Sequence, residues 1–423
     1  MSSQLEQPTR STSQKWPIMV VFALIWGALM STEQLSIHLL PAMIEQFTVN
    51  PTTIALILFI NPAFGFIAQP IVGVLGDKIW TPVGRRAFFL ITGAPIVAVC
   101  LWFVPEARFL WHLVVIVVVY QFFQDVLWGS DHPLLADLFP PKQRLFVSGM
   151  LITAGQLTTL VFLRFGMKHL DSDELFRLVA VIQVVFVTGL SFFLNEKPVV
   201  KKDRPKLDAK RYALDLFGDP TRRKFAILYF VLSMVMNLAV LGGYLRLFAI
   251  HNLGLDQAEY GETFWVSTVP PLLLSVPMAI VVERFLSKRF AMLVGIACIL
   301  TSLFIGWMAQ SADHLLWLAI LWGFGYMITI VTFKPFFSEY VPRDILGQVS
   351  GALNICWGLG RAIAVLGAGI IIDNFFDDNY RYIFPLSILL AVVSIWIAAR
   401  IPDLRFEARK LGKEPESAGI TNT

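Results

Sequence analysis

The sequence is short of charge. Of its 423 residues only 15% are Asp, Glu, Lys or Arg, where a soluble domain carries roughly 25%. It has three cysteines, Cys100, Cys298 and Cys356, each inside an apolar run. No pairing pattern appears, so buried apolar thiols are expected rather than disulfides. It contains no phosphate-binding Gly-Lys loop, no GxSxG elbow, no HExxH and no CxxC, so nothing points to an enzyme or a cofactor. Asp131-His132 could touch a metal, but two adjacent residues on a helix make a poor site, and none is expected. No basic nucleic-acid module is visible. The amino end, MSSQLEQPTRSTSQK, is polar, and the apolar run after it lacks a small-residue cleavage site. An uncleaved first span is the better reading than a signal peptide.

What is plentiful is hydrocarbon. Hydrophobic residues make up 56% of the chain. They fall in runs of about 18–23 residues, the length a helix needs to cross a bilayer core. Twelve such spans are predicted, near 18–40, 54–75, 87–104, 111–136, 146–165, 175–194, 225–249, 264–282, 290–309, 315–333, 349–370 and 382–400. A basic stretch, 195–224, divides them six and six. The expected organisation is therefore a polar amino end (1–17), a six-helix bundle (18–194), a linker (195–224), a second six-helix bundle (225–400) and a polar tail (401–423).

Basic residues set the orientation. Ten of the 34 lie in the central linker, and only five fall in the loops on the opposite side: Arg108, Arg164, Lys168, Arg177 and Arg381. By the positive-inside rule both ends are cytoplasmic, which suits a cell membrane. An internal repeat supports the division. HPLLADLFPPKQRLFVSG (132–149) and KPFFSEYVPRDILGQVSG (334–351) align at a constant offset of 202, pairing Pro133 with Pro335, Asp137 with Glu339 and Gly149 with Gly351. Duplicated halves suit a carrier whose central site opens to each side in turn.

Polar residues sort the spans. Spans three, six, nine and twelve hold no charge away from their first and last turns, whereas one, four, ten and eleven do. Lipid-facing helices must be apolar, and helices lining a watery cavity need not be. On span four, Gln121, Gln124, Asp125, Trp128, Asp131 and His132 fall within about 120° of one helix face. A polar seam between packed helices is the bland alternative, but six such residues favour a cavity wall. Span one adds Glu33, Gln34 and His38, span five Gln156, and span seven Asn237 and Tyr244. Span ten adds Tyr326, and span eleven Asn354, Trp357 and Arg361. Any single aromatic here is as readily explained by packing. Lys334 and Arg246, near span ends, are explained by snorkelling.

The loop between spans two and three identifies a family. Gly73, Asp77, Lys78, Gly84, Arg85 and Arg86 resemble the loop motif of the major facilitator superfamily, G-x-x-x-D-(R/K)-x-G-(R/K)-(R/K), with a longer gap before Gly84. The approach to it, with Asn61-Pro62, Gly65, Gln69-Pro70 and Gly76-Asp77, is similar to one branch: the glycoside–pentoside–hexuronide:cation symporters and the sucrose–proton symporters. The superfamily resemblance covers the whole chain and the branch resemblance about its first 140 residues. It implies twelve transmembrane helices in two halves and a cytoplasmic latch built on the loop. The sucrose carriers' span-four Asp falls here on Gln121 and their Arg on His132; Asp125 lies one turn further along the same face.

The reading is an all-α membrane transporter of the major facilitator fold that moves a small polar solute, such as a sugar or glycoside, by alternating access. Its expected partners are the solute, a proton or other cation, and lipid; a monomer is expected, and no nucleic acid. Proton coupling rests on Asp125 or Glu33. Arg361 and Lys334 keep open an organic-anion or sugar-phosphate exchanger or uniporter. A non-transporting receptor is the reading outside this class.

Overall fold

Helix starts are written in the sequence. Asn50 accepts the Thr53 amide at 2.8 Å, with Pro51 in the first turn. Asp171 and Asp256 each form a capping box, with Glu174 and Glu259 reaching back to the cap amide. The computed structural model describes residues 16–78, 81–139, 141–194, 196, 214–341 and 346–403. It is all-helical, with no strand among them.

Twelve helical segments follow in order. The first, α1, runs Trp16–Gln34, then a π turn at Leu35–Leu39, then Leu40–Glu45. Helix α2 comprises Pro51–Leu58 and Ile60–Lys78, α3 Ala87–Phe103 and α4 Leu110–Leu138. Helix α5 begins as Pro141–Val161 and α6 as Ser172–Ile182, each continued by a π turn. In the second half, α7 comprises Pro220–Met236, a π turn at Asn237–Leu241, and Tyr244–Leu253. The rest are α8 (Gln257–Arg284), α9 (Lys288–Met308), α10 (Ala312–Ser338), α11 (Leu346–Phe375) and α12 (Ile383–Ala399). Nine helices among the described residues are long and apolar enough to cross a membrane, and α2 and α3 carry shorter apolar stretches.

Each half packs the same way. Helix α3 lies against α4 and α6, and α1 against α5 and α6; in the second half α9 lies against α10 and α12, and α7 against α11 and α12. The halves meet along α2–α11 and α5–α8. Small residues allow close approach there, as packing rather than a hydrophobic force must hold helices together in lipid. A Cβ on Gly261 would come 2.4 Å from the Leu163 carbonyl oxygen, and one on Gly369 2.2 Å from Ala55 Cβ. The face where α1 begins and α12 ends is called the terminal face below, and the opposite one the distal face.

The repeat runs deeper than the window that reveals it. The π turns at Leu35–Leu39 and Asn237–Leu241 are also 202 residues apart. A π turn inserts one residue into the helical ladder, often at functional sites. In α1 it precedes Pro41, whose ring cannot follow a regular turn. In α7 it precedes Gly242-Gly243, where the helix breaks with Gly243 at φ +94°. Hydropathy predicts an unbroken seventh span; the break is carried by two glycines that do not lower its apolar content. Several helices also start three to seven residues earlier than hydropathy places them, because polar turns capped by Asn50, Asp171, Asp219 and Asp256 extend them. The termini (1–15, 404–423) and most of the linker lie outside the described residues.

Candidate functional site

Among the described residues one ion pair joins the two halves at mid-bundle. Arg361 of α11 donates from Nη2 to Glu33 Oε1 of α1 at 2.8 Å. Both side chains keep about a fifth of their surface open, Arg361 24% and Glu33 18%. Arg361 lines a narrow cleft between the halves with Ser36, Asn61 and Gln121 from the first half and Leu241, Gly242 and Val365 from the second. The cleft holds about 20 Å³, room for about one water.

Its polar wall is ordered by a chain of hydrogen bonds. Asn61 Nδ2 donates to Gln121 Oε1 at 2.9 Å, and Gln121 Nε2 donates to Ser36 Oγ at 3.2 Å. Ser36 Oγ pairs with the Tyr120 hydroxyl at 2.5 Å, and Tyr120 donates to the Thr32 carbonyl at 3.1 Å. One turn along α4, Asp125 Oδ1 accepts from Gln69 Nε2 of α2 at 2.8 Å, while Oδ2 has no partner. Gly65 lies beside this pair: a Cβ there would be in ordinary contact with Asp125 Oδ1, at 3.6 Å.

Not every expected cavity residue opens onto this cleft. Gln124 and Asp131 are buried inside the first half, Gln124 at 1% exposure and Asp131 at 0%, without partners for the Gln124 amide or either Asp131 oxygen. Trp128 is buried and meets Trp26 edge-to-face at 5.2 Å. Gln34 is buried and Gln156 half-buried. Asn237 donates to the Ser233 carbonyl at 2.9 Å, inside α7. Tyr244 is fully buried, donating to the Val365 carbonyl at 2.5 Å, so it packs α7 on α11. Tyr326 stacks near Trp322, and Trp357 packs on Tyr229 at 4.8 Å; Asn354 is exposed. The side chain of His132 lies outside the described residues.

His38 belongs to a different cluster. Its Nδ1 pairs with the Tyr260 hydroxyl at 3.0 Å, and Arg246 lies over the Tyr260 ring at 5.2 Å. Further out, Arg164 and Lys168 of α5 hold Glu262 of α8, His251 meets Glu45 at 2.6 Å, and Asn50 and Thr52 donate to Asp373. All hydrogen bonds and ion pairs between the halves among the described residues lie from mid-bundle to the distal face. Sequence reasoning missed Tyr260, Glu262 and Asp373. They sit at helix ends, where charge needs no special explanation. It also missed Ser36, Asn61 and Gln69 as site residues, though the last two stand within the family motif.

The terminal face carries the latch. Asp137, at the end of α4, binds Arg85 Nη2 at 2.6 Å and Arg86 Nε at 2.8 Å. Glu196 accepts the amides of Arg85, Arg86 and Ala87 at the start of α3, where unpaired amides and the helix dipole favour an anion. Gly84 takes φ +117° just before them. The second half repeats the device: Glu339 binds Lys288 at 2.7 Å, and Asp403 accepts the Arg289 amide at 3.1 Å. Arg86 and Lys288, like Asp137 and Glu339, are 202 apart. The side chains of Gly73, Asp77 and Lys78 lie outside the described residues; their backbone continues α2.

Comparison with known proteins agrees with this architecture. The Major Facilitator Superfamily model matches residues 16–365 and 236–421. Among solved structures, a bacterial homologue of the human lysosomal transporter Spinster, inward-facing and occupied, superposes with a TM-score of 0.72 at 11% identity, covering 98% of this chain and 100% of that one. The nucleoside transporter NupG superposes with a TM-score of 0.70 at 13% identity, covering 92% and 98%. At such identity the likeness is one of fold. No curated protein matches the chain in sequence.

Proposed function

The chain belongs to the Major Facilitator Superfamily, and within it we propose a proton-coupled carrier of a small polar solute, working by alternating access. Asp125 is the coupling carboxylate, and the Glu33–Arg361 pair is the switch across the solute cleft. The observation that carries this is the state of Asp125. One oxygen is held by Gln69, the other is free, and the residue stands one turn from Gln121 on the cleft wall. A carrier of protons needs a carboxyl that is held in place but not neutralised by a fixed cation. Asn, Gln and Ser on the cleft suit a solute's hydroxyls, with sugars or glycosides as the leading class.

The positive-inside rule puts the terminal face in the cytoplasm. The bonds that close the distal face then seal the outside, and the described state is one closed outward. A second reading is an organic anion or sugar phosphate as solute. It is favoured by the Arg361 guanidinium on the cleft and by Lys334, exposed on α10 with no ion-pair partner among the described residues. Thermal unfolding of the purified protein against a panel of sugars, glycosides and organic anions separates the two. A solute at 100 times its Kd adds about 2.7 kcal/mol. Stabilisation by neutral glycosides supports the first reading, and by anions alone the second. If wild-type proteoliposomes take up no panel solute against a gradient when given a proton gradient, proton-driven transport is overturned.

A further inference from the structure

Asp131 is the most isolated acid among the described residues. It is 0% exposed, and neither carboxyl oxygen has a hydrogen-bond or ion-pair partner. It lies six residues beyond Asp125 on α4, about 9 Å along the axis and turned about 120° around it. The two acids stand at opposite edges of the polar stripe. Asp125 is one turn from Gln121, which lines the cleft; Asp131 is fully buried, one turn along α4 from Trp128, which meets Trp26. Gln124, two turns away on nearly the same edge, is also buried with both amide atoms unpaired.

The described charges on the elements around it are engaged elsewhere. On α1, Glu33 pairs with Arg361 and His38 with Tyr260. Arg85 and Arg86, at the start of α3, hold Asp137. On α5, Arg144 donates to the Phe139 carbonyl, and Arg164 and Lys168 hold Glu262 at the distal end. Asp77 and Lys78 end α2, Lys142 opens α5, and His132 follows Asp131 on α4 itself. Asp131 bonds to none of these; Glu45 at the end of α1 pairs with His251, His169 ends α5 at the distal face, and α2 offers no other charged side chain.

An ionised carboxylate with no partner is not sustained in such a place, whereas the neutral acid is. We propose that Asp131 is a second proton-binding site, on a proton path inside the first half and separate from the solute cleft. In the described state it carries its proton. When the first half opens to water from the terminal face, the Asp131 O–H bond breaks, the proton passes to that water, and the carboxylate is hydrated. The inference rests on a proton-coupled carrier, but its test does not depend on solute.

The test is infrared spectroscopy of the purified full-length protein, titrated over roughly pH 5 to 8. A buried protonated carboxyl gives a carbonyl stretch apart from the amide bands. The band is expected in the wild type, to be lost in Asp131→Asn, to shift in Asp131→Glu, and to survive in Asp125→Asn. Its intensity is expected to fall as the pH rises. Thermal unfolding confirms that each variant is folded, and Asp131→Glu keeps the assignment open to test if Asp131→Asn is not. Identical wild-type and Asp131→Asn spectra would overturn the proposal, showing that Asp131 is ionised. So would a band that does not change with pH, which would mark a fixed structural proton. Neither outcome bears on whether Asp125 couples transport.

Discussion

Gly243 packs against Pro41, its own counterpart in the repeat. A Cβ on Gly243 would lie 2.8 Å from Pro41 Cγ and 3.2 Å from the Ile37 carbonyl oxygen. The breaks in α1 and α7 therefore nest against each other on the distal side of the cleft. Gly243 also holds φ +94°, where an L side chain is strained. Gly243→Ala should destabilise the distal-closed state by about 1–3 kcal/mol. Labels placed on α2 and α11 at the distal face would report it as an increased fraction of long distances. An unchanged distance distribution would show that the nested breaks are not part of the distal closure.

The Glu33–Arg361 pair gives a second prediction. It is partly open to solvent, so its value lies between a surface pair and a buried one. Arg361→Gln leaves Glu33 uncompensated and should lower stability by about 2 kcal/mol. Adding Glu33→Gln should restore about half of that, because the unpaired charge goes with it. Thermal unfolding of the two single variants and the double variant measures the coupling. Strictly additive losses would show that the two charges do not stabilise each other.

The latch gives the third. Asp137 binds two arginines and Glu339 one lysine, on the terminal face and away from the cleft. Asp137→Asn takes the shared carboxylate from two guanidiniums and should cost about 3 kcal/mol. Glu339→Gln should cost less, because it bonds one cation and Lys288 keeps Glu283 at 2.9 Å. Both should slow transport while leaving the solute Kd within about twofold of wild type. A large loss of affinity at unchanged turnover would place the latch in the binding site instead.

Much of the fold was legible because membrane crossing leaves a coarse signature. Runs of apolar residues, a basic linker and a repeat at one offset are enough to define twelve helices in two halves. The site was less legible. The 100° periodicity placed Gln121, Asp125 and Asp131 on one stripe, but a stripe 120° wide spans both the cleft and the packed interior of α4. Tyr244 and Asn237 read as cavity residues by type, yet their polar atoms satisfy backbone carbonyls of their own half. The Glu33–Arg361 pairing was one of several partners open to Arg361, because sequence spacing says nothing about which helices meet across the halves. Gln69 illustrates the reverse case: the family motif contains it, and only the structure shows that it holds Asp125.

Coupling is the last prediction. If Asp125 carries the transported proton, its charge must change between the two states while its geometry is kept. Gln69 supplies the geometry, and no cation is bonded to the carboxylate, whose other oxygen has no partner. Asp125→Asn retains the shape and an acceptor for Gln69, and cannot ionise. It should therefore bind solute and exchange labelled for unlabelled solute at rates within about threefold of wild type, since exchange moves no net proton. Uphill uptake driven by a pH gradient in proteoliposomes should fall to the passive level. Glu33→Gln should instead lose stability through Arg361 and keep a measurable share of driven uptake. Both variants are compared in the same vesicles, with and without the gradient. If Asp125→Asn still concentrates solute, the coupling acid lies elsewhere, and Glu33 takes its place because it pairs with Arg361, which lines the cleft. If the wild type itself ignores the gradient, no carboxyl in the bundle couples transport to protons, and the free oxygen of Asp125 is left to serve another cation.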